Sequence, residues 1–419
     1  MILFHPAAPA GTVTFGAVLL LAACGPPAEP AALRAPPKLS DEEELPGGAG
    51  GELPPDENVF FADTGVLDVS IELSDAAIEQ LAGSPDEYVA GAMIFGGERF
   101  EPIGVRLKGS STYQWLDGKP AWKLKFDEFE TGARVQGLER LTLDSNYWDG
   151  AVMAETLAYR MWRLSGNPAP RTGYANVTLN GEAYGLYTIV EAMDDGFIDH
   201  NWPKSEGALY EMCRSCDFNL DCAQYPLQES GDNFDEFGLA RACADAATGQ
   251  EDTMRSAFDW ERLTRFMALE RVLNHADSYS YNRNNYYVYH DPLTGQLTLT
   301  PWGADSTYSY TYPPDEDRRC EPGYFDNLAA DPGAYVASWC MGNAACWADV
   351  KAEMLVVSDL MVATDLQGFI LATHDRLAES VAADPRWPWG VDTWEAKVDC
   401  FHQWVVNRPA LVEAFVESR

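Results

Sequence analysis

Seven side chains spread over the middle of the chain have the types needed to handle a phosphate. Lys119, Lys123 and Lys125 in KPAWKLKF share strand parity, which points all three to one face of a single strand. Glu155 lies in the first turns of the helix that follows. Asp277, Asn285 and Asp305 fall within HADSYSYNRNNYYVYHDPLTGQLTLTPWGADSTY, residues 275–308. An Asp and an Asn beside a second Asp supply hard oxygen ligands suited to magnesium, which takes few protein ligands and completes its shell with phosphate and water. Phosphoryl transfer asks for such a set: a lysine on the polyphosphate, a glutamate orienting that lysine, an Asp near the attacking hydroxyl, and Asn plus Asp on metal. The simpler reading of the same residues is a solvated basic strand face bridged to neighbouring carboxylates, a surface glutamate and a polar hairpin.

The elements that must position these residues read as mixed α and β. GVLDVSIEL alternates as a strand, and SDAAIEQLAG reads as a helix closed by Gly83. RFEPIGVRLKG and AWKLKFDEF form two strands joined by SSTYQWLDGKP, a loop of small and turn residues placed to cover a ligand. DGAVMAETLAYRMWRL is a helix with Asp149 as its N-cap and Met153, Leu157, Met161 and Leu164 on one face. YANVTLNGEAYGLYTIVEAM is a hairpin turning at Asn180-Gly181. The helix FDWERLTRFMALERVLNHAD is capped by Asp259 and runs into a second hairpin that turns through Asp291 to Gly295. Residues from about 350 onward read as helical packing. With no internal repeat, the expectation is one large α+β domain with two lobes.

A chain of 419 residues, 46% hydrophobic, can bury a large core. Its 65 acidic against 29 basic residues give a net charge of −36, which repels phosphate backbones and excludes a nucleic-acid-binding role. Residues 1–23 read as an export signal: the apolar run FGAVLLLAA is too short to span a bilayer and ends before Cys24 in LLAACG, a lipobox-like site for lipidation, although the preceding segment lacks Lys and Arg. Residues 24–57, rich in Pro, Gly, Ala and acid, form a tether, and residues 58–419 the folded domain. Beyond Cys24 eight cysteines remain, an even number that in an exported chain favours four disulfides. The alternative for the Cys-rich insertion at about 211–250 is a zinc site through Cys213, Cys216, Cys222 and Cys243. HExxH, GxSxG and Walker A motifs are absent from the sequence.

The runs IGVRLKG, KPAWKLKF, GLERLTLDSNYWD, NGEAYGLYTIVEAMDDGF, NNYYVYHD and PWGAD, in this order over residues 60 to 310, resemble the CotH kinase-like family. That resemblance implies an atypical protein-kinase-like two-lobed fold, β-hairpins in its N-terminal part and helices in its C-terminal part, that binds ATP with Mg2+ or Mn2+. It makes Lys119 the first choice for the phosphate-gripping lysine, with Lys123 and Lys125 still open. Glu155 would be its partner, Asp277 the catalytic base, and Asn285 and Asp305 the metal ligands. Arg106 and Glu191 stand at family positions on the nucleotide side. One departure is Gly303, where relatives often carry the first Asp of PWD-x-D. Two readings follow. One is a membrane-tethered kinase of the cell envelope, acting on Ser or Thr of a surface protein, with a basic substrate suiting the acidic surface. The other is an inactive CotH-like envelope or coat scaffold that binds partners through its Cys-rich insertion. Catalysis requires Asp277, Asn285 and Asp305 to converge with a lysine facing them.

Overall fold

The computed structural model describes residues 56–418 apart from 203–205, 212, 214, 220–221, 223–224, 309–326 and 329. The expected signal peptide, Cys24 and nearly all of the tether lie outside the described residues. The N-terminal half runs β1 (Leu67–Leu73), α1 (Asp75–Gly83), β2 (Val89–Phe95), β3 (Glu98–Lys108), β4 (Ala121–Lys125), β5 (Arg140–Asp144), α2 (Ala154–Leu164), β6 (Thr172–Leu179) and β7 (Glu182–Glu191). There follow α3 (Asp195–Asn201), β8 (Ala208–Glu211), β9 (Leu227–Ser230), α4 (Gly238–Ala247), α5 (Glu251–Ala257), α6 (Trp260–Val272) and α7 (Tyr279–Asn282). The chain ends with β10 (Tyr286–His290), β11 (Leu297–Pro301), α8 (Tyr335–Gly342), α9 (Ala344–Ala363), α10 (Leu366–Ala383) and α11 (Val391–Ser418).

The seven N-terminal strands close into a barrel in the order β1-β2-β3-β4-β5-β7-β6, sealed by parallel pairing of β1 with β6. Closure leaves no free edge and sorts side chains by parity. Val105 and Leu107 of β3, Trp122 and Leu124 of β4, and Leu141 and Leu143 of β5 fill the interior. Their neighbours Arg106, Lys108, Lys123, Lys125, Arg140 and Asp144 therefore face outward. Register aligns them: Arg106 sits opposite Lys123, and Lys125 opposite Arg140. A second sheet, β11-β10-β8-β9, and the helices form the other half around a separate core. Every residue of β10 and β11 is buried, as expected of strands covered on both faces.

Local chemistry fixes the ends of these elements. Ser74 caps α1 and Asp259 caps α6, each side chain accepting from a backbone N–H three residues on. Asp149 corrects the expected cap of the next helix. α2 begins only at Ala154, and the Asp149 carboxylate accepts instead from the N–H groups of Ala151, Val152 and Ala154, holding the turn before it. Cys213 pairs with Cys216, Cys222 with Cys243 and Cys340 with Cys346, and Cys400 is disulfide-bonded too. The sulfurs proposed for zinc are thus used in disulfides.

A strap between α10 and α11 ties the two halves together. Asp384 accepts from the Lys119 ammonium at 2.6 Å and from the N–H groups of Leu186, Arg386 and Trp387. Gly185 makes room for it: at φ +95° it is left-handed, and a Cβ there would fall 2.0 Å from the Asp384 carboxylate. Further along, Trp387, Trp389 and Trp394 donate their indole N–H groups to the carbonyls of Asn146, Tyr147 and Ala151. The loop between β5 and α2 is thereby pinned from outside. Asp384→Ala is expected to destabilise the protein by about 3–5 kcal/mol in chemical denaturation, because it strands a buried ammonium. Lys119→Met is expected to cost less, since three backbone donors remain on Asp384.

Candidate active site: a cleft of cations, carboxylates and amides

Between the outer barrel face and the second sheet lies a cleft of 1170 Å³. Its barrel wall carries Arg106, Lys108, Lys123 and Asp144, its far wall Asp277, Asn285, Gly303 and Asp305, and Glu155 at the start of α2 lies between them. Parity explains the barrel wall. The far wall comes from the loop after α6 and from the residues just past β11, whose hydrogen-bonded partner β10 brings Asn285 alongside Gly303.

Lys108 is the ammonium at the centre. Its Nζ lies 2.7 Å from Asp144 and 5.8 Å from the ring centroid of Trp302, and its field also reaches Glu155 and Asp305. Burial acts to pull its pKa down, but the charges of Asp144 and Glu155 prevail and the net shift is upward, so Lys108 is firmly charged. Burial pushes Asp144 up, yet the Lys108 charge and hydrogen bond outweigh it and hold this carboxyl below its ordinary range. Glu155 is raised well above its ordinary value, by burial first and then by Asp144. Asp305 is pushed up to about 7, again by burial and then by Asp144. Three carboxyl groups thus share one ammonium, and the two with no hydrogen-bonded cation are the ones whose ionised form is disfavoured.

Asp277 has a different setting. Its carboxylate accepts from the side-chain amides of Asn282 at 2.7 Å, Asn284 at 2.8 Å and Asn285 at 3.0 Å, and it has no ion pair among the described residues. Three donors fix its orientation while it borders the cleft. Asn285 also donates to the Asp277 carbonyl and lies against Gly303. Gly303 is left-handed at φ +50°, and a Cβ there would meet the Asn285 amide oxygen at 3.0 Å. The glycine in the PWGAD run is thus what lets Asn285 sit close against the backbone that leads into Asp305.

A hard cation fits this donor set. Asp305 and the Asn285 amide oxygen supply protein ligands, and a divalent ion would restore the ionised form of Asp305 and Glu155 that burial opposes. Among the described residues no group of three or more His, Cys, Asp or Glu is close enough to hold a metal unaided. Magnesium bound by one or two carboxylates plus phosphate oxygens needs no such group.

Asp277, Asn285, Asp305, Glu155, Arg106 and Lys123 all line the cleft. Three expected residues do not. Lys119 precedes β4 and turns into the buried pair with Asp384, also donating to the Leu186 carbonyl, so it grips structure and not ligand. Lys125 leans toward Glu128 and Asp127, at the inner end beyond the carboxylates. Glu191 is buried in an ion pair with Arg171, whose guanidinium also meets Asp56. The barrel displaces these residues because strand parity governs only residues within β4, and Lys119 lies outside it. Lys108, Asp144, Asn282 and Asn284 were not anticipated. Lys108 had a signal in its shared parity with Arg106 in IGVRLKG. Asn282 had one too, because H-x-D-x4-N from His275 to Asn282 repeats the catalytic-loop spacing of protein kinases. Gly303→Ala is expected to cost about 1–2 kcal/mol for its left-handed backbone, measured by thermal unfolding, and to push Asn285 from its place.

A family model described as CotH kinase protein matches residues 105–412. Inner spore coat protein H of Bacillus subtilis (strain 168) is 21% identical over 237 residues, which cover 53% of this chain and 63% of that protein's length. The chain therefore spans less than two thirds of that relative. A solved structure of a Helicobacter pylori proinflammatory kinase, CtkA, superposes with a TM-score of 0.34 at 10% identity, over 80% of this chain and 91% of the other. Because the family match runs through both walls of the cleft and most of the sequence, this chain belongs to the CotH kinase family.

Proposed function

We propose that the chain is an exported protein kinase that transfers phosphate from ATP to Ser or Thr of an envelope or surface protein. The observation that carries this reading is the meeting of Lys108, Asp305, Asn285 and Asp277 on one cleft. Mg2+ or Mn2+ held by Asp305 and Asn285 would supply charge neutralisation for the phosphates. Lys108, kept charged by Asp144 and Glu155, adds a fixed positive group beside the same phosphates. Asp277, oriented by three amides, takes the proton from the attacking hydroxyl. Lys108 replaces Lys119 in the role of the phosphate lysine.

A net charge of −36 favours a basic acceptor segment, which would be steered to the cleft mouth and released as its charge falls on phosphorylation. The lipobox-like run before Cys24 and the spore-coat relative support an envelope location. The scaffold reading draws on Gly303, the missing first Asp of the family motif. Asp277 has no ion pair among the described residues and borders an open cleft, an arrangement that favours catalysis.

Asp277→Asn is expected to retain ATP binding while lowering turnover at least about 100-fold, the scale of a lost general base. Asp305→Ala is expected to abolish metal-dependent ATP binding in calorimetry. A proton on Asp305 competes with metal, so metal affinity should fall roughly tenfold per pH unit below about 7 and level off above it. Affinity that stays flat between pH 5 and 8 would remove Asp305 from the metal site.

A further inference from the structure

Beyond Lys108 the cleft continues inward into a pocket of 260 Å³ between β3, β4 and β5 on one side and β8, β10 and the Ala192-Met193 segment on the other. A nucleotide held with its phosphates at the metal centre would put its neutral purine here. Its charged lining is instead Arg106, Lys123, Lys125 and Arg140 against the single carboxylate Glu211. Glu211 is already engaged by the Tyr287 hydroxyl.

The four cations are not equal. Arg140 is held by Glu229 and Glu139, and Lys125 by Glu128, all carboxylates outside the pocket lining. Arg106 and Lys123 face each other across β3 and β4 and have no ion pair among the described residues. The Arg106 guanidinium lies 5.1 Å from the Tyr88 ring centroid, which fixes its plane without neutralising it. Lys123 is pulled down to about 8, by burial first and then by the Arg106 charge, which Glu211 offsets only in part. Two cations with no ion pair, facing one carboxylate between them in a protein of net charge −36, are a built feature, because acidic side chains were abundant. A purine offers nothing to balance them, whereas a phosphate does so with charge-assisted bonds.

We propose that this inner pocket is a phosphate subsite, so that the donor lies along Lys123, Arg106 and Lys108 as a run of phosphates reaching the metal centre. This rests on the kinase reading for the metal centre and Asp277 alone. Inorganic polyphosphate and the triphosphate arm of a nucleotide share the required chemistry. In both, the P–O–P bond at the phosphate beside Asp305 breaks, the acceptor hydroxyl oxygen forms the new P–O bond, and its proton passes to Asp277. The leaving phosphate carries away the bonding electrons. An inorganic chain would donate a phosphoryl group, and a nucleotide lying triphosphate-inward would donate its nucleotidyl group.

The test is calorimetry on the full chain with Mg2+ and tripolyphosphate, ATP or adenosine. The wild type and Arg106→Gln/Lys123→Met, which keeps the side-chain stems, are compared after circular dichroism shows both folded. Tripolyphosphate is expected to bind and to weaken by more than about tenfold in the double variant, the worth of a charge-assisted bond, while adenosine does not bind. Tripolyphosphate binding as tightly as ATP assigns the chain to inorganic polyphosphate; ATP binding more tightly assigns it to a nucleotide, with label from α-labelled ATP then appearing on the acceptor. If ATP binds but tripolyphosphate does not, or if the double variant binds ATP as the wild type does, the pocket receives the base. The subsite is then overturned while the kinase reading stands. If Mg2+ supports binding of neither phosphate compound, both readings fall.

Discussion

Closure of the seven-stranded barrel is the constraint on which the rest of the structure depends. Once β1 pairs with β6, the apolar set of β3, β4 and β5 must point inward, and a slip of one residue would turn Trp122 and Leu124 to water. The same alternation forces Arg106, Lys108, Lys123 and Asp144 out together on one face. The barrel thus builds the cationic wall of the cleft as a consequence of filling its own core. The strap at Asp384 and the three tryptophans after it then fix the β5–α2 loop, and with it the spacing of Asp144 and Glu155.

Electrostatics at the cleft are set by shortage. One ammonium, Lys108, serves Asp144 directly and Glu155 and Asp305 at longer range. Deeper in, the imbalance is reversed, with Arg106 and Lys123 in excess. A ligand carrying both a divalent cation and phosphate groups satisfies both ends at once. Lys119 lies apart from both ends: it is buried in its pair with Asp384 and is not among the residues lining the cleft.

Much of this was legible in the sequence. The Asn180-Gly181 turn, the cap Asp259 and the hairpin through Asp291 are local signals, and each element formed where its turn or cap chemistry placed it. Asp277, Asn285 and Asp305 converge because the hairpin that separates them returns its two ends to one place. Barrel closure was not legible, because parallel pairing of β1 with β6 joins segments about a hundred residues apart. The choice among lysines failed for a related reason. Parity of Lys119 with Lys123 and Lys125 holds only while the strand continues, and β4 begins at Ala121. What Lys119 meets, Asp384, is contributed from the far end of the chain, where no local pattern announces it.

On the proposed kinase reading Lys108, and not Lys119, meets the phosphates at the metal centre. The most direct measurement is calorimetric titration of Lys108→Ala and Lys119→Met with ATP and Mn2+, each variant first shown to be folded. Loss of binding in Lys108→Ala with binding retained in Lys119→Met is the result expected. Retained binding in Lys108→Ala with loss in a folded Lys119→Met would contradict the assignment and return the phosphate site to the KPAWKLKF run.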